Sequence, residues 1–456
     1  MCANLEVFRL LKDYASAYKE KTVGFVGMGV SNLPVIRLFI SAGAKCIVRD
    51  KKDLSASDYY AELSSNGVRF ICGDNYLDDI NEELLFLSPA VRPDIDGIVK
   101  AKANGTRVTS EMEEFFNLCP CKKIAVTGSD GKTTTTTLIA KLLEAQGYKA
   151  WLGGNIGVNL FATLDDIKAD DFAVVELSSF QLMKLSKSPD IAVITNVAPN
   201  HLDWHIDMQE YVDAKKRIFE FQNETSTLVL NIDDEYCRSF VKEAKGSVRV
   251  ISGITTDADV YFNNDGIYDK NGPLVSDSDI RIVGRHNRYN YAEAYCAVRD
   301  YVSSDTLNKV AREFGGVEHR IEFVREHNGV KYYNSSIDSS PSRTTACVEA
   351  FKEKIIVIVG GYDKNIPYEP LGELFVRKVK YAVLCGATAP KISAVLDSVG
   401  YADYCIVDDF ELAVDTARTH ATSGDCVVLT PASASFDMFK NFAERGNRFK
   451  QIVKSF

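Results

Sequence analysis

"AVTGSDGKTTTTTLIAKLL", residues 125–143, carries an apolar strand into a glycine turn, a lysine and a run of threonines. A phosphate cradle needs backbone N–H groups aimed at phosphate oxygens and a helix N-terminus behind them. It also needs a lysine for the outer phosphates and a hydroxyl for Mg2+. Gly128, Ser129, Asp130, Gly131, Lys132, Thr133 and Thr134 supply these parts in order. The loop is shorter than the usual G-x-x-x-x-G-K-[ST], because Val126 stands where the first glycine would and the glycine is Gly128. A helix is expected behind it from near Gly131 to near Gly147. Leu138, Ile139, Leu142 and Leu143 recur at helical spacing, and Gly147 suits a C-cap. Lys132 is read as contacting the outer phosphates, Thr133 the metal and Thr134 a further phosphate. The remaining threonines, stiff at χ1, are read as first-turn residues.

Outward from this stretch, "DFAVVELSS" (171–179), "DIAVITNV" (190–197) and "TLVLN" (227–231) are short apolar strands separated by helical segments. That is the rhythm of a mostly parallel sheet. Ligands of such sheets gather beyond the carboxyl ends of the strands. Glu176 closes one strand there, and a carboxylate in that place can hold Mg2+. His201 follows another strand; alone it reads as a loop hydrogen-bonder, and only the strand order brings it to the site. Asp203 and His205 remain undecided. In "YVDAKKRIF" (211–219), Lys215, Lys216 and Arg217 read as a solvated basic helix face.

The same rhythm occurs on either side. Residues 22–50 form a β-α-β pattern around "GMGVSN" (27–32), and "KIIVIVGGYDK" (354–364), "KYAVLCG", "DYCIVDD" and "DCVVLTPASAS" begin another set. The polar, glycine-containing stretch 255–283 suggests hairpins. The expected fold class is α/β in three domains. These are an N-terminal Rossmann-like domain (1–112), a central P-loop ATPase-like domain with a mostly parallel sheet (113–317) and a C-terminal Rossmann-like domain (318–456). A Ser110/Glu113 capping box and the "FGGVEHR" joint set the boundaries.

The chain of 456 residues exceeds what one core organises. A net charge of −10 without a long Lys/Arg block excludes generic attraction to nucleic acid or anionic membrane. No apolar run approaches a membrane span, and "MCANLEVFRLLKDYASAYKE" lacks a signal-peptide pattern, so a cytosolic location is expected. Eleven scattered cysteines read as reduced, and the Cys119/Cys121 pair reads as packing in preference to a zinc site.

"TGSDGKTTT", "GGNIGVNL", "ELSSFQL", "NVAPNHLDWH", "YVDAKKRIF", "GRHNRYN", "HRIEFV" and "TPASASFDMFKNFAERGNRF" follow one another in an order that resembles the Mur ligases over nearly the whole chain. The family has the same shortened phosphate loop. The resemblance implies three domains and the use of ATP and Mg2+. It also implies a substrate carboxylate phosphorylated by ATP and then attacked by an amine. The "GMGVSN" start and the "SFDMFKNFAERG" ending are similar to the branch that adds D-glutamate to UDP-N-acetylmuramoyl-L-alanine. That branch is a monomeric, cytoplasmic enzyme of peptidoglycan synthesis.

Residue by residue, the resemblance gives Glu176 and His201 to metal binding and Lys215 to a carbamate that would serve as a further metal ligand. Asn155, Ser178 and Gln181 fall at the muramoyl side. Asn287, Asn290 and Arg320 fall at the nucleotide side, with His319 in the same stretch. Ser339, Lys364, Ser435 and Phe442 fall at the D-glutamate side. The Gly27, Gly29, Val30, Ser31, Asn32 turn with Asp50 suggests NAD when read alone, and the resemblance redirects it to UDP. "NSSIDSS" departs from the commoner N-D-S-K-A-T, with Ser335 in place of the acid and Ile337 in place of the lysine. Ligases for L-alanine, a diamino acid or a dipeptide, and folylpolyglutamate synthetase, share the central pattern. A different class also stays open, a nucleotide-switched binding protein.

Overall fold

The computed structural model describes residues 10–456 apart from Val30 and Asp203, so the expectations placed on those two lie outside the described residues. Three sheets carry the fold. The first has β1 (Thr22–Val26), β2 (Lys45–Asp50), β3 (Arg69–Cys72), β4 (Leu84–Leu87) and β5 (Arg107–Thr109), in the order β3-β2-β1-β4-β5 with every pair parallel. Arg49 on β2 is buried, yet it is satisfied: Nε lies 2.7 Å from Glu82 Oε1, and Nη1 donates to the carbonyls of Tyr76 and Asp78. A buried guanidinium is tolerable only when paired in this way.

The second sheet has β6 (Lys122–Thr127), β7 (Ala150–Gly154), β8 (Phe172–Glu176), β9 (Ile191–Ile194), β10 (Thr227–Asn231), β11 (Ser247–Ser252) and β12 (Val260–Phe262). Their order is β12-β11-β10-β9-β6-β8-β7, again parallel throughout. β8 and β9 are buried along their whole length, which explains their unbroken apolar runs. Two further strands, β13 (Gly266–Asp269) and β14 (Gly272–Ser276), run side by side in the polar stretch where hairpins are expected.

The phosphate-loop helix spans Lys132–Gln146, flanked by Gly131 at φ 80° and Gly147 at φ 103°. These left-handed conformations suit glycine at both ends. The threonine run extends past the first turn, contrary to expectation. The Thr136 and Thr137 hydroxyls donate to the carbonyls of Lys132 and Thr133, each at 2.7 Å, which satisfies them inside the helix. The capping box at Ser110 is half formed. Ser110 Oγ accepts from Glu113 N at 3.1 Å, but the Glu113 carboxylate accepts from Ser186 N at 3.0 Å instead of turning back. The Cys119 and Cys121 thiols are buried, 3.5 Å apart.

The third sheet has β15 (Glu322–His327), β16 (Val330–Asn334), β17 (Ile355–Val359), β18 (Val379–Cys385), β19 (Tyr404–Val407) and β20 (Cys426–Leu429), in the order β15-β16-β20-β17-β18-β19. Only the β15/β16 hairpin is antiparallel. β20, last in sequence, enters between β16 and β17 and brings three strand ends together.

The chain divides into two compact units. One runs to Asn263 and takes in Tyr268–Gly272 and Tyr289–Thr306; the other comprises Asn264–Ile267, Pro273–Arg288 and Leu307–Phe456. The first unit holds the first two sheets, joined by a continuous apolar core that includes Phe39, Phe86, Phe115, Phe161 and Phe219. Among the described residues no helix is long and apolar enough to cross a membrane.

Candidate active site

In the second sheet β6 lies between β8 and β9, so the loops leaving these three strands are neighbours at one edge. The glycine loop after β6 is built against the exit of β9. Gly128 has φ 148°, and a Cβ there would lie 1.8 Å from Thr195 Oγ1; a Cβ at Gly131 would lie 2.5 Å from Asn290 Oδ1. Ser129 N donates to Asn196 O at 2.9 Å, and Asp130 N donates to Asn196 Oδ1 at 3.0 Å. Thr195 Oγ1 donates to Asp130 O at 2.6 Å. Ser129 Oγ accepts from Ala198 N at 2.8 Å and lies 3.0 Å from Tyr211 Oη. Thr195, Asn196 and Tyr211 were not singled out in the sequence. Thr195 and Asn196 follow the apolar run of β9, so the strand-end rule that found Glu176 would have found them. Thr133 and Thr134 are half-buried in the first turn, while Thr135 is buried with its hydroxyl 3.0 Å from Glu293 Oε2. Burial pushes the Glu293 carboxyl up to about 8.

Glu176 ends β8 and is buried. Its Oε1 accepts from Asn155 Nδ2 at 2.9 Å, while Oε2 is buried with no hydrogen-bond partner among the described residues. Asn155 thus orients the carboxylate, a role the sequence did not suggest. Gly154, at φ 100°, lets the chain pass here, since a Cβ would lie 2.2 Å from Glu176 O.

Lys215 is not on a solvated face. The helix Met208–Glu220 buries Tyr211, Val212, Ala214, Lys215, Ile218 and Phe219, and Lys215 Nζ donates to Gly128 O at 2.7 Å, 4.5 Å from the centre of the Tyr211 ring. Lys132 Nζ donates to the same carbonyl at 2.9 Å and to Ser129 O at 2.8 Å. Burial first, and the neighbouring Lys132 charge second, hold the Lys215 pKa well below the usual lysine range. Lys216 pairs with Glu243, and Arg217 donates to the carbonyls of Leu182 and Leu185.

His201 is exposed in the loop after β9, its backbone at φ 54° and its ring 5.1 Å from that of Phe180. His205 is buried between Ser179 and Glu210. Ser178 and Gln181 cap the short helix Ser179–Leu182 reciprocally, Ser178 N donating to Gln181 Oε1 at 3.0 Å.

At the edge of the first sheet, Gly27 has φ 86° and its Cβ position is 2.5 Å from Ser88 Oγ, whereas nothing lies within 4 Å of the corresponding point at Gly29. Asn32 replaces the third glycine of the fingerprint and closes the turn itself, Nδ2 donating to Gly27 O at 2.8 Å. Asp50 accepts from Met28 N at 3.4 Å and Lys52 N at 2.9 Å. Ser31 precedes the helix Asn32–Ser41, and its carbonyl accepts from Asn159 Nδ2 at 3.3 Å.

The second unit gathers its candidates at the ends of β16, β20 and β17. Ser339 follows β16, Ser435 follows β20 and Lys364 follows β17. Lys364 is exposed; Phe442 opens the helix Phe442–Lys454 with its ring 5.8 Å edge-on to His319. Arg320 is exposed between His319 (φ 64°) and Ile321 (φ 43°), and Ser335 Oγ accepts from Ile321 N at 3.1 Å. Asp338 is buried, with Thr430 Oγ1 donating to it at 2.9 Å, and burial pushes its carboxyl up to about 6. Arg445, also buried, ties the loops after β16 and β20 by donating to the carbonyls of Ser336, Ser433 and Ala434. In the same unit Asn287 Nδ2 donates to Val283 O at 2.6 Å, while Asn290 belongs to the first unit beside the glycine loop.

Residues 126–298 match the family model of the Mur ligase middle domain, and residues 319–433 match that of the Mur ligase glutamate ligase domain. A UDP-N-acetylmuramoylalanine–D-glutamate ligase of Acetivibrio thermocellus is 49% identical over 98% of this chain and 98% of its own. The enzyme of that name from Ruminiclostridium cellulolyticum is 46% identical over 98% of this chain and 99% of its own. In fold, the chain is similar to the UDP-N-acetylmuramate–alanine ligase of Thermotoga maritima. The TM-score is 0.57 at 16% identity, covering 95% of this chain and 99% of that one. A glycine loop braced by β9, a half-satisfied carboxylate at the end of β8 and this full-length likeness agree: the chain belongs to the Mur ligase family, whose members join amino acids or peptides to cell-wall precursors with ATP.

Proposed function

We propose that this chain couples ATP cleavage to amide formation between UDP-N-acetylmuramoyl-L-alanine and D-glutamate, releasing ADP and phosphate. The observation that carries the chemistry is the convergence of Lys132, Lys215 and the Gly128 carbonyl beside the exit of β9. Full-length identity of 46–49% to ligases bearing that substrate in their names supports the choice of amino acid.

Glu176, Thr133, His201 and a carbamylated Lys215 would hold Mg2+. The donor set fits, since Glu176 Oε2 is a buried carboxylate oxygen with no hydrogen-bond partner among the described residues. Bound Mg2+ supplies charge neutralisation between triphosphate and carboxylate. The first-turn amides of the helix Lys132–Gln146 face the phosphates, because Ser129 N and Asp130 N are already given to Asn196. Thr134 adds a hydroxyl there. Lys132 leaves its contact with Gly128 O for the outer phosphates and stabilises charge as the acceptor carboxylate attacks. The acyl phosphate so formed is opened by the D-glutamate amine through a tetrahedral intermediate. A depressed Lys215 pKa supports carbamylation, since only the neutral amine can add CO2 and exchange its positive charge for a negative one.

Gly27, Gly29, Ser31, Asn32 and Asp50 seat the UDP group, and Asn155, Ser178 and Gln181 border the muramoyl portion. Asn287, Asn290 and Arg320 serve the nucleotide. Ser339, Lys364, Ser435 and Phe442 take D-glutamate, with lysine and hydroxyls matched to its carboxylates. Residues 1–112, 113–317 and 318–456 act as the three modules of a monomer that works in the cytoplasm. Phosphate release with UDP-N-acetylmuramoyl-L-alanine and each amino acid in turn tests this reading. D-glutamate alone should stimulate it, and stimulation by L-alanine or a diamino acid instead would overturn the specificity.

A further inference from the structure

His201 adopts a left-handed backbone, φ 54°, a conformation that is strained for a non-glycine residue and persists only where its surroundings impose it. Its carbonyl accepts from Trp204 N at 3.1 Å and His205 N at 3.0 Å, so the turn closes on His205. The His205 ring is fixed at both nitrogens: Nδ1 lies 3.1 Å from Glu210 Oε2, and Nε2 lies 2.9 Å from Ser179 Oγ. With Nδ1–H on the carboxylate, Nε2 accepts and the Ser179 hydroxyl donates. The Phe180 ring stacks on His205 at 5.7 Å and meets His201 at 5.1 Å.

The chain of bonds continues into the N-terminal sheet. Arg92, in the loop after β4, donates to Glu210 at 2.6 and 3.1 Å and to Trp204 O at 3.1 Å, with its guanidinium 4.9 Å from the centre of the Trp204 ring. Beside it, Trp204 Nε1 donates to Ala90 O at 3.3 Å, and Lys184 Nζ bridges Pro89 O at 2.7 Å and Phe180 O at 2.9 Å. The exit of β4 is therefore bonded to the turn that carries His201 and to the turn that carries Ser178 and Gln181.

We infer that His205 and Arg92 are positioning residues: the series Ser179–His205–Glu210–Arg92 holds His201 in its strained conformation and joins the metal side of the site to the seating of the nucleotide-sugar module. This rests on the reading of His201 as a metal ligand. Neither residue touches a reacting atom; each acts through a neighbour.

The test uses the full-length enzyme, with Mn2+ binding followed by electron paramagnetic resonance in the presence of a non-hydrolysable ATP analogue. His205→Phe keeps the ring stacking and removes both hydrogen bonds, and should weaken Mn2+ binding by about tenfold or more. Arg92→Gln should weaken Mn2+ binding in the same direction and raise KM for the nucleotide-sugar substrate more than it lowers kcat; Arg92→Lys should restore part of both. If His205→Phe melts at the wild-type temperature and binds Mn2+ with wild-type affinity while His201→Ala does not, the positioning role is wrong and the metal reading stands. If His201→Ala also binds Mn2+ as the wild type does, the metal reading itself fails. Should His205→Phe not fold, the isosteric Glu210→Gln carries the same expectations and the same refutation.

Discussion

At the scale of single residues, the Gly128 carbonyl accepts from the Nζ atoms of both Lys132 and Lys215. Lys132→Ala removes the charge proposed to serve the outer phosphates, and turnover should fall by about 10²–10³-fold or more while the melting temperature stays near wild type. Wild-type turnover in that variant would dismiss the assignment. In the second unit, the Asp338 carboxyl is raised from 3.8 to about 6 by burial, so the folded chain holds that proton more tightly than the unfolded one. Stability from this group is full below about pH 4 and declines as pH rises toward 6. Asp338→Asn should remove that decline and be the more stable protein at pH 7 to 8, by on the order of 1–3 kcal/mol in urea unfolding. Lys132 and Glu176 were legible in the sequence because a glycine turn and a strand end announce them. Lys215 was half legible. Val212, Lys215, Ile218 and Phe219 share one helical face and are all buried, a spacing present in "YVDAKKRIF" but masked by the adjacent Lys216 and Arg217.

At the scale of elements, the glycine loop and the β9 exit are one construction. Gly128→Ala drives a methyl group into the Thr195 hydroxyl at φ 148° and should cost about 2 kcal/mol or more, read as a lower urea midpoint together with weakened nucleotide binding. The ion pair between Arg92 and Glu210 gives a second measurable signature. The hydrogen bond from Arg92 pulls the Glu210 carboxyl from 4.5 down to about 2, so its contribution is present above about pH 4.5 and is lost as pH falls toward 2. Acid unfolding of Glu210→Gln should show a shallower pH dependence across that window; an unchanged slope would mean the pair contributes nothing to folding. The strands, the phosphate-loop helix and its two glycine caps followed from periodicity. The Arg92–Glu210 pair did not, because 118 residues separate its partners and nothing local in either segment points to the other. The second half of the Ser110 capping box failed for a related reason, since Ser186, distant in sequence, competes for the Glu113 carboxylate.

At the scale of the whole molecule, the proposed function divides the labour among three α/β sheets: the first would offer a turn for the nucleotide of the acceptor, the second a cradle for ATP, and the third lysine and hydroxyls for the incoming amino acid. The strand rhythm in the sequence was enough to anticipate three sheets. It could not anticipate that the first two share one apolar core, because that depends on which helix faces meet. The central claim is that the edge formed by β6, β8 and β9 brings the triphosphate, a divalent cation and the acceptor carboxylate together. A crystal structure with magnesium and a non-hydrolysable ATP analogue tests it most directly. The phosphates should lie against Gly128–Thr134, with Lys132 turned from Gly128 O onto them and Glu176 Oε2 directed at the cation. Nucleotide bound elsewhere, with Lys132 still on Gly128 O, would contradict it.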